Sequence, residues 1–222
     1  GGNPEVGVKA AKESIDELAK ALAGADMVFL AAGLGGGTGT GSIAVAAQAA
    51  RSIGAVTVGI VTMPFGFEIG RRQTNARNGL AALRAYCDTL ITIPNDRLLA
   101  LGNPNLTLEM AFRLADDVLR QGIQGISELI TETGLINADF ANVRQVMQTG
   151  GGALLSIGMG EGEHKAHKAI ERALHHPLLE TINMENATGV LVNLTTGPNI
   201  SAMEVFDALN DLQSKCRPGA DI

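Results

Sequence analysis

Apolar positions along the chain alternate between two periods, and the changes of period outline the elements. From Val8 to Ala23 the residues Ala11, Ile15, Leu18 and Leu22 recur at helical spacing, and Gly24 marks the stop. Met27 to Ala32 is a continuous apolar run of strand length, as expected for a strand buried on both faces of a parallel sheet. Ile43–Arg51 reads as a helix, and Ala55–Thr62, rich in β-branched residues, as a second parallel strand. Met63-Pro64-Phe65-Gly66-Phe67 breaks that strand, Gly70–Ala85 is helical again, and Thr89–Ile93 is a third strand closed by Pro94. This β-α-β-α-β alternation predicts an α/β fold with a doubly wound parallel sheet, whose ligands sit at the carboxyl ends of the strands.

A single long pattern follows. Leu108, Ala111, Phe112, Ala115, Val118, Leu119, Ile123, Ile126, Leu129 and Ile130 share one broad helical face between Thr107 and Thr131. That is about twice the mean helix length of a globular protein, and a spine joining two lobes accounts for it. After Gly134 the pattern shortens. Val143–Met147, Leu154–Met159, a helix His164–Leu174, a strand Gly189–Leu194 and a helix Ser201–Leu212 make a second α/β domain. The expected division is therefore residues 1–131, with the long helix, and residues 132–222.

Composition narrows the class. Hydrophobic residues make 45% of the 222 positions while aromatics make 3%, so the core is built from Ala, Leu, Ile and Val, as suits helices packed on a parallel sheet. A formal net charge of −6 argues against a general nucleic-acid binder. Two distant cysteines, Cys87 and Cys216, give no disulfide framework, and no apolar run reaches membrane-spanning length. These features predict a soluble, cytoplasmic protein without direct membrane insertion. The opening Gly1-Gly2-Asn3-Pro4 reads like the middle of a phosphate loop, and the end, Arg217 to Ile222, stops where another strand is expected, so the sequence reads as a fragment lacking both ends.

The chemistry concentrates in Gly35-Gly36-Gly37-Thr38-Gly39-Thr40-Gly41, between the first strand and the next helix. Strand, glycine loop and helix together make an anion cradle. Missing side chains let phosphate oxygens reach backbone N–H groups, and the helix N-terminus adds unpaired donors and a positive dipole end. Thr38 and Thr40 add hydroxyls. The loop lacks the Lys-Ser/Thr pair that closes a P-loop. Gly39-x-Gly41-x-x-Ala44 fits a loose dinucleotide fingerprint, but that fingerprint wants an acidic residue at the next strand's end, where Thr62-Met63-Pro64 stands, so a dinucleotide-binding oxidoreductase is a distant alternative.

The whole heptad resembles the signature loop of the tubulin/FtsZ superfamily of assembling GTPases. Further ordered matches to the FtsZ family are Gly1-Gly2-Asn3-Pro4-Glu5, Pro64-Phe65-Gly66-Phe67-Glu68, Ile93-Pro94-Asn95-Asp96-Arg97-Leu98-Leu99 and Gly134-Leu135-Ile136-Asn137-Ala138-Asp139-Phe140. The resemblance covers essentially the whole chain. It implies a Rossmann-like GTPase domain, a central helix and a C-terminal α/β activation domain. It also implies GTP/GDP as ligand, with Mg2+ bound through the phosphates rather than by a protein cage, and a head-to-tail filament of copies at the division site, with adaptors recruited through a tail absent here.

The resemblance assigns roles to particular residues. Gly35, Gly36, Gly37, Thr38 and Gly39 would cradle phosphates, and Gly2 and Asn3 resemble the loop that senses the terminal phosphate. The family's other phosphate loop would lie upstream. Glu68 and Arg72 match positions that meet the ribose and phosphates, chemistry that suits a carboxylate and a guanidinium. Ile69-Gly70 follows Glu68 where the family places Gly directly. Phe112 and Asp116, four apart on one helix face, match the base-binding positions, although Phe112 alone would read as core. A carboxylate accepts from both N1–H and N2–H of guanine, which adenine cannot offer. Asn95 is a further candidate contact to base or ribose.

Asn137 and Asp139 match a loop that the family inserts into the neighbour's nucleotide pocket to polarise the attacking water. Asn142 stands where the family has a second carboxylate. An amide holds a water but takes no proton at neutral pH, so a scaffold that binds GTP and hydrolyses it slowly is the alternative expectation. His164-x-x-His167 and His175-His176 lie among charged residues and read as a solvated face.

Overall fold

The computed structural model describes residues 2–101, 106–134, 139–148, 151–178 and 186–220. The chain divides into two compact units, Gly1–Ser127 with Gly150–Ala153, and Glu128–Thr149 with Leu154–Ile222.

The first unit carries a parallel sheet in the order β1-β2-β3-β4, formed by Met27–Gly33, Val56–Met63, Thr89–Pro94 and Gly151–Ala153. Register runs from Met27 opposite Val56 to Gly33 opposite Thr62, and from Val58 opposite Thr89 to Met63 opposite Pro94. The described strands are added in chain order, so the order reversal that defines a doubly wound sheet is not among them. β2 is buried along nearly its whole length, with Val56, Val58, Ile60 and Val61 at 0% exposure, as its unbroken β-branched run requires of a central strand.

Helices α1 (Pro4–Glu13), α2 (Ile15–Leu22), α3 (Thr38–Ser52) and α4 (Arg72–Arg84) surround these strands. The single helix expected over Val8–Ala23 is two, interrupted at Ser14 (φ −111°, ψ 18°). It also starts earlier, because Pro4 suits the first helical position and the Asn3 carboxamide accepts from the Glu5 N–H at 3.0 Å. α3 likewise begins five residues ahead of the expected Ile43, so the second half of the glycine run is its first turn. One side of the sheet closes on Leu34, Ile43, Ala47, Val61, Ala76, Leu83 and Leu90, which form a single buried cluster.

Glycine lets α1 and α3 touch backbone to backbone. A Cβ at Gly7 would stand 2.5 Å from the Gly37 carbonyl oxygen, and one at Gly41 2.2 Å from that of Pro4. After β3 come the short α5 (Asn95–Leu98) and a 3-10 turn, Leu99–Leu101. α6 (Leu108–Thr131) matches the expected long helix and buries Ala111, Ala115, Val118, Gly122 and Ile126. Phe112 and Leu108 lie outside that stripe.

In the second unit, α7 (Phe140–Gln148) contains the Val143–Met147 stretch, while α8 (Lys165–Leu174) and α9 (Ala202–Ser214) occupy the two expected helical segments. Ala166, Ile170, Ala208 and Leu212 join α8 to α9. Gly158 and Gly160 lie on α8 so closely that a Cβ on either would meet a backbone oxygen at 1.9 or 1.8 Å. The expected strand Gly189–Leu194 is not a ladder: Gly189 makes one bridge and residues 190–194 are irregular. An apolar run becomes a strand only where a partner strand takes its hydrogen bonds, and none among the described residues does so here. Among the described residues no helix is long and apolar enough to cross a membrane. Both cysteines are free thiols, and burial pushes Cys87 up to about 11.

The two kinds of glycine behave differently on substitution. Gly41→Ala must push α1 off α3, at a cost of about 1–3 kcal/mol and hence a fall of several degrees in melting temperature. Gly125→Ala, at a helical site where a Cβ meets nothing within 4 Å, is expected to leave stability unchanged or raise it by up to about 1 kcal/mol. Thermal melts of the two variants check both signs.

Candidate nucleotide-binding site

Because Gly33 is level with Thr62, and Met63 with Pro94, the segments following β1, β2 and β3 all leave the sheet at one edge. This is the carboxyl edge, where open α/β sheets place ligands. Three segments meet there: the glycine loop, the turn Pro64–Gly70, and Asn95 with Asp96.

The glycine loop is pinned at its start and open at its centre. Leu34 N–H donates to the Thr62 carbonyl at 2.9 Å, and Gly35 N–H to the Thr40 hydroxyl at 2.8 Å. Thr40 is 3% exposed and turned inward, so its hydroxyl serves the loop rather than a ligand, contrary to the sequence expectation. Thr38 is exposed, and its carbonyl accepts from Ser42 Oγ at 2.8 Å. Among the described residues, the backbone N–H groups of Gly36, Gly37, Thr38, Gly39 and Thr40 have no hydrogen-bond partner. Five consecutive free donors at a helix N-terminus form a strong anion-binding surface. The glycines differ in what they admit. Gly35 (φ +111°) needs its left-handed backbone, and a Cβ at Gly39 would meet the Gly33 oxygen at 2.8 Å. At Gly36 there is open space, so that position leaves room for a ligand.

The Pro64–Gly70 turn is tied from several sides. Glu68 accepts from Phe65 N–H at 2.8 Å through one oxygen and from Arg72 Nη1 through the other. Its side chain is 10% exposed whereas that of Arg72 is 56% exposed, so the carboxylate is a structural tie and the guanidinium the more available group. Ile69 projects into solvent, 91% exposed, and Gly70 (φ +99°) turns the chain back. The Ile69 side chain is thus accommodated outward, and the Glu68–Arg72 pair is formed.

Asn95 is 4% exposed, and its Oδ1 has no hydrogen-bond partner among the described residues. A buried, unsatisfied acceptor at this edge fits a donor brought by a ligand. Phe112 is 40% exposed and meets Phe65 edge-on (centroids 5.3 Å, interplanar 87°), while Phe65 stacks on Phe67 at 4.9 Å. It is therefore half core and half open face. Asp116 is exposed, and its carboxylate has no partner among the described residues. Its neighbour Asp117 is the engaged one, held below the usual carboxylate range by hydrogen bonds from Arg120 and Gln121.

In the second unit, Asp139 caps α7: its carbonyl accepts from Asn142 and Val143 N–H at 2.9 and 3.1 Å, and its Oδ1 from Ala141 N–H at 3.4 Å. Asn142 is exposed on the first turn. Asn137 lies outside the described residues. Among the described residues, no group of three His, Cys, Asp or Glu side chains is arranged to hold a metal.

Three residues at the sheet edge were given no role by the sequence, although Asp96 lies within a stretch that matches the family. Asn75 donates from Nδ2 to the Gly2 and Gly35 carbonyls, both at 3.2 Å. Gln73 Nε2 donates to the Pro64 and Phe65 carbonyls at 3.2 and 3.1 Å, and Asp96 accepts from Gly66 N–H at 2.8 Å. Each is a polar side chain near the start of a helix, indistinguishable in sequence from a solvated position until its partner loop is folded against it.

A profile for the GTPase domain of the Tubulin/FtsZ family matches residues 1–103, and one for the C-terminal domain of the FtsZ family matches residues 151–222. Two solved structures of FtsZ from M. jannaschii, an empty dimer and a point mutant, are 44% identical over the whole chain, with TM-scores of 0.91 and 0.95. This chain spans 64% and 66% of their lengths. CetZ1 of Haloferax volcanii, solved as a GDP-bound monomer, shares the fold at 20% identity and a TM-score of 0.76, with all of this chain covering 71% of that one. Two domain profiles in succession and a full-chain superposition at this identity have one explanation: the chain belongs to the tubulin/FtsZ family.

Proposed function

We propose that this protein binds GTP at the carboxyl edge of its sheet, assembles head to tail, and hydrolyses the nucleotide at the contact between copies. The run of N–H groups from Gly36 to Thr40, unpaired among the described residues, is the observation that carries the reading. Such donors attract phosphate oxygens, and no side chain of the loop competes for them. In this reading Gly35, Gly36, Gly37, Thr38 and Gly39 hold phosphates, and Gly2 and Asn3 face the terminal one. Arg72 adds a positive charge, with Glu68 keeping it in place and lying near the ribose. Phe112 offers its open face to the base, Asp116 accepts from the guanine N1–H and N2–H, and Asn95 supplies a further acceptor. Mg2+ would enter with the phosphates, where it neutralises their charge.

Self-association is inferred from family membership and from the dimer in which one relative was solved. Asn137, Asp139 and Asn142 would then reach the nucleotide of the adjoining copy. Asp139 is the one carboxylate of the three, so it would draw the proton of the attacking water while the two amides orient it. The placement at a division site, and adaptors bound through a further tail, belong to the same proposal. So does a division of labour between residues 1–131, for nucleotide, and 132–222, for activation.

Asn142 favours a second reading, a polymerising scaffold that holds GTP and turns it over slowly. General-base assistance is typically worth about 10²–10⁴ in rate, so the exchange of a carboxylate for an amide decides between the readings.

Asp116→Asn is expected to lower GTP affinity roughly 10- to 100-fold, the value of a lost charged hydrogen-bond pair, and to raise affinity for xanthosine triphosphate, whose O2 accepts from the new amide. Titration calorimetry with both nucleotides measures this; unchanged GTP affinity removes Asp116 from the base site. GTP turnover per molecule is expected to rise steeply with protein concentration, because each site is completed by a neighbour. A flat profile would count against the shared site. Asn142→Asp is expected to speed turnover at least about 10-fold at assembling concentrations if the slow-scaffold reading holds. If the parent already turns over with a threshold and the variant adds nothing, Asp139 suffices.

A further inference from the structure

Asn75 links two segments that are far apart in sequence and adjacent in the fold. Its Nδ2 carries two hydrogens, and both are used: one bond goes to the Gly2 carbonyl and one to the Gly35 carbonyl, each at 3.2 Å. The side chain is well anchored. Asn75 N–H donates to the Arg71 carbonyl at 2.8 Å in the first turn of α4, and the next residue, Ala76, is fully buried. One turn on, Gly79 packs so tightly on Thr40 that a Cβ there would stand 2.4 Å from Thr40 Cγ2.

The consequence follows from peptide geometry. In a trans peptide the C=O and the following N–H point in opposite directions. Holding the Gly35 oxygen toward Asn75 therefore sends the Gly36 N–H away from it, and holding the Gly2 oxygen does the same for the Asn3 N–H. Neither of these N–H groups has a partner among the described residues. Nothing covalent fixes their direction, because each peptide follows a glycine at positive φ, Gly2 at +85° and Gly35 at +111°. Glycine rotates freely enough to let such a peptide flip. A flip would aim a carbonyl oxygen where a donor should stand, and an anion would then meet repulsion.

We propose that Asn75 is a positioning residue that locks two peptide planes, one in each loop, so that the Gly36 and Asn3 N–H groups face a bound polyphosphate together. The inference rests on the reading that this cradle takes nucleotide phosphates. Since it aligns donors from two loops, it favours the longer chain of phosphoryl groups: a triphosphate engages more of the paired cradle than a diphosphate does. Base recognition, made by other residues, is untouched.

The test is titration calorimetry on the full-length protein with a non-hydrolysable GTP analogue, GDP and guanosine, for the parent, Asn75→Ala and Asn75→Asp. Loss of two neutral hydrogen bonds in Asn75→Ala is expected to weaken the GTP analogue about 10-fold and GDP about 3-fold, leaving guanosine unchanged. Asn75→Asp has the same shape but sets an oxygen against two carbonyls, and should weaken the analogue about 100-fold. An equal loss for all three ligands, or an unchanged preference for triphosphate over diphosphate in both variants, overturns the proposal. Asn75→Asp decides if Asn75→Ala does not melt cooperatively. If neither variant melts cooperatively, Asn75 is a fold-holding residue and the positioning role falls. A parent that binds none of the three sinks the phosphate reading as well, whereas a binding parent with unaltered ratios in the variants sinks the role of Asn75 alone.

Discussion

Among the described residues, the amides of Gly36 to Thr40 are held in place without a hydrogen bond from the protein that holds them. Unpaired N–H groups are costly where water cannot reach them, and a loop made of glycine gains much entropy by relaxing. The structure meets this constraint from outside the loop. Leu34 and Gly35 fasten its first peptides to β2 and to Thr40, and α3 takes over at Thr38. α1 lies against α3 at backbone distance through Gly7 and Gly41. Close packing here replaces the hydrogen bonds that the donors do not make.

Glycine accordingly has more than one task in the heptad. Gly35 supplies a backbone angle, Gly39 and Gly41 supply closeness to other backbone, and Gly36 supplies room. The same economy governs the turn after β2, where Glu68, Gln73 and Asp96 occupy its backbone groups from three directions. A turn fixed this way tolerates Ile69, whose side chain leaves for solvent while Gly70 restores the direction of the chain. The contact of Phe112 with Phe65 ties the same turn to α6, so aromatic packing and the exposed ring face come from one side chain.

Asp116 on α6 and Asn95 at that edge represent opposite electrostatic situations. Asp116 stays solvated and without a partner among the described residues, while Asp117 beside it is engaged by Arg120 and Gln121. Asn95 buries an acceptor without a partner among the described residues, which a folded protein avoids unless something supplies the donor. A solvated carboxylate costs nothing to keep ready, whereas a buried amide oxygen is costly until it is satisfied.

Much was legible in the chain itself. Apolar and β-branched runs give the three strands, although only β2 and β3 are largely buried, with Thr57, Thr62 and Thr89 among their buried residues, while β1 is mostly half-buried or exposed; helical spacing gives α6 to within a residue; and the glycine heptad stands out as the connection from β1 to α3, where Gly35 takes a left-handed angle and Gly39 and Gly41 lie against other backbone. Other features depend on partners that no local pattern names. The break at Ser14 and the early start of α3 are not marked in the apolar spacing, and the irregular path of residues 190–194 goes with the lack of a ladder partner among the described residues. Thr40 turned inward, and Asn75, Gln73 and Asp96 became ties, only because folding brought a bare backbone group within reach of each. A side chain's chemistry is written in sequence, but a hydrogen bond needs a second atom about 3 Å away. For loops joined across the carboxyl edge of a sheet, only the tertiary structure provides it.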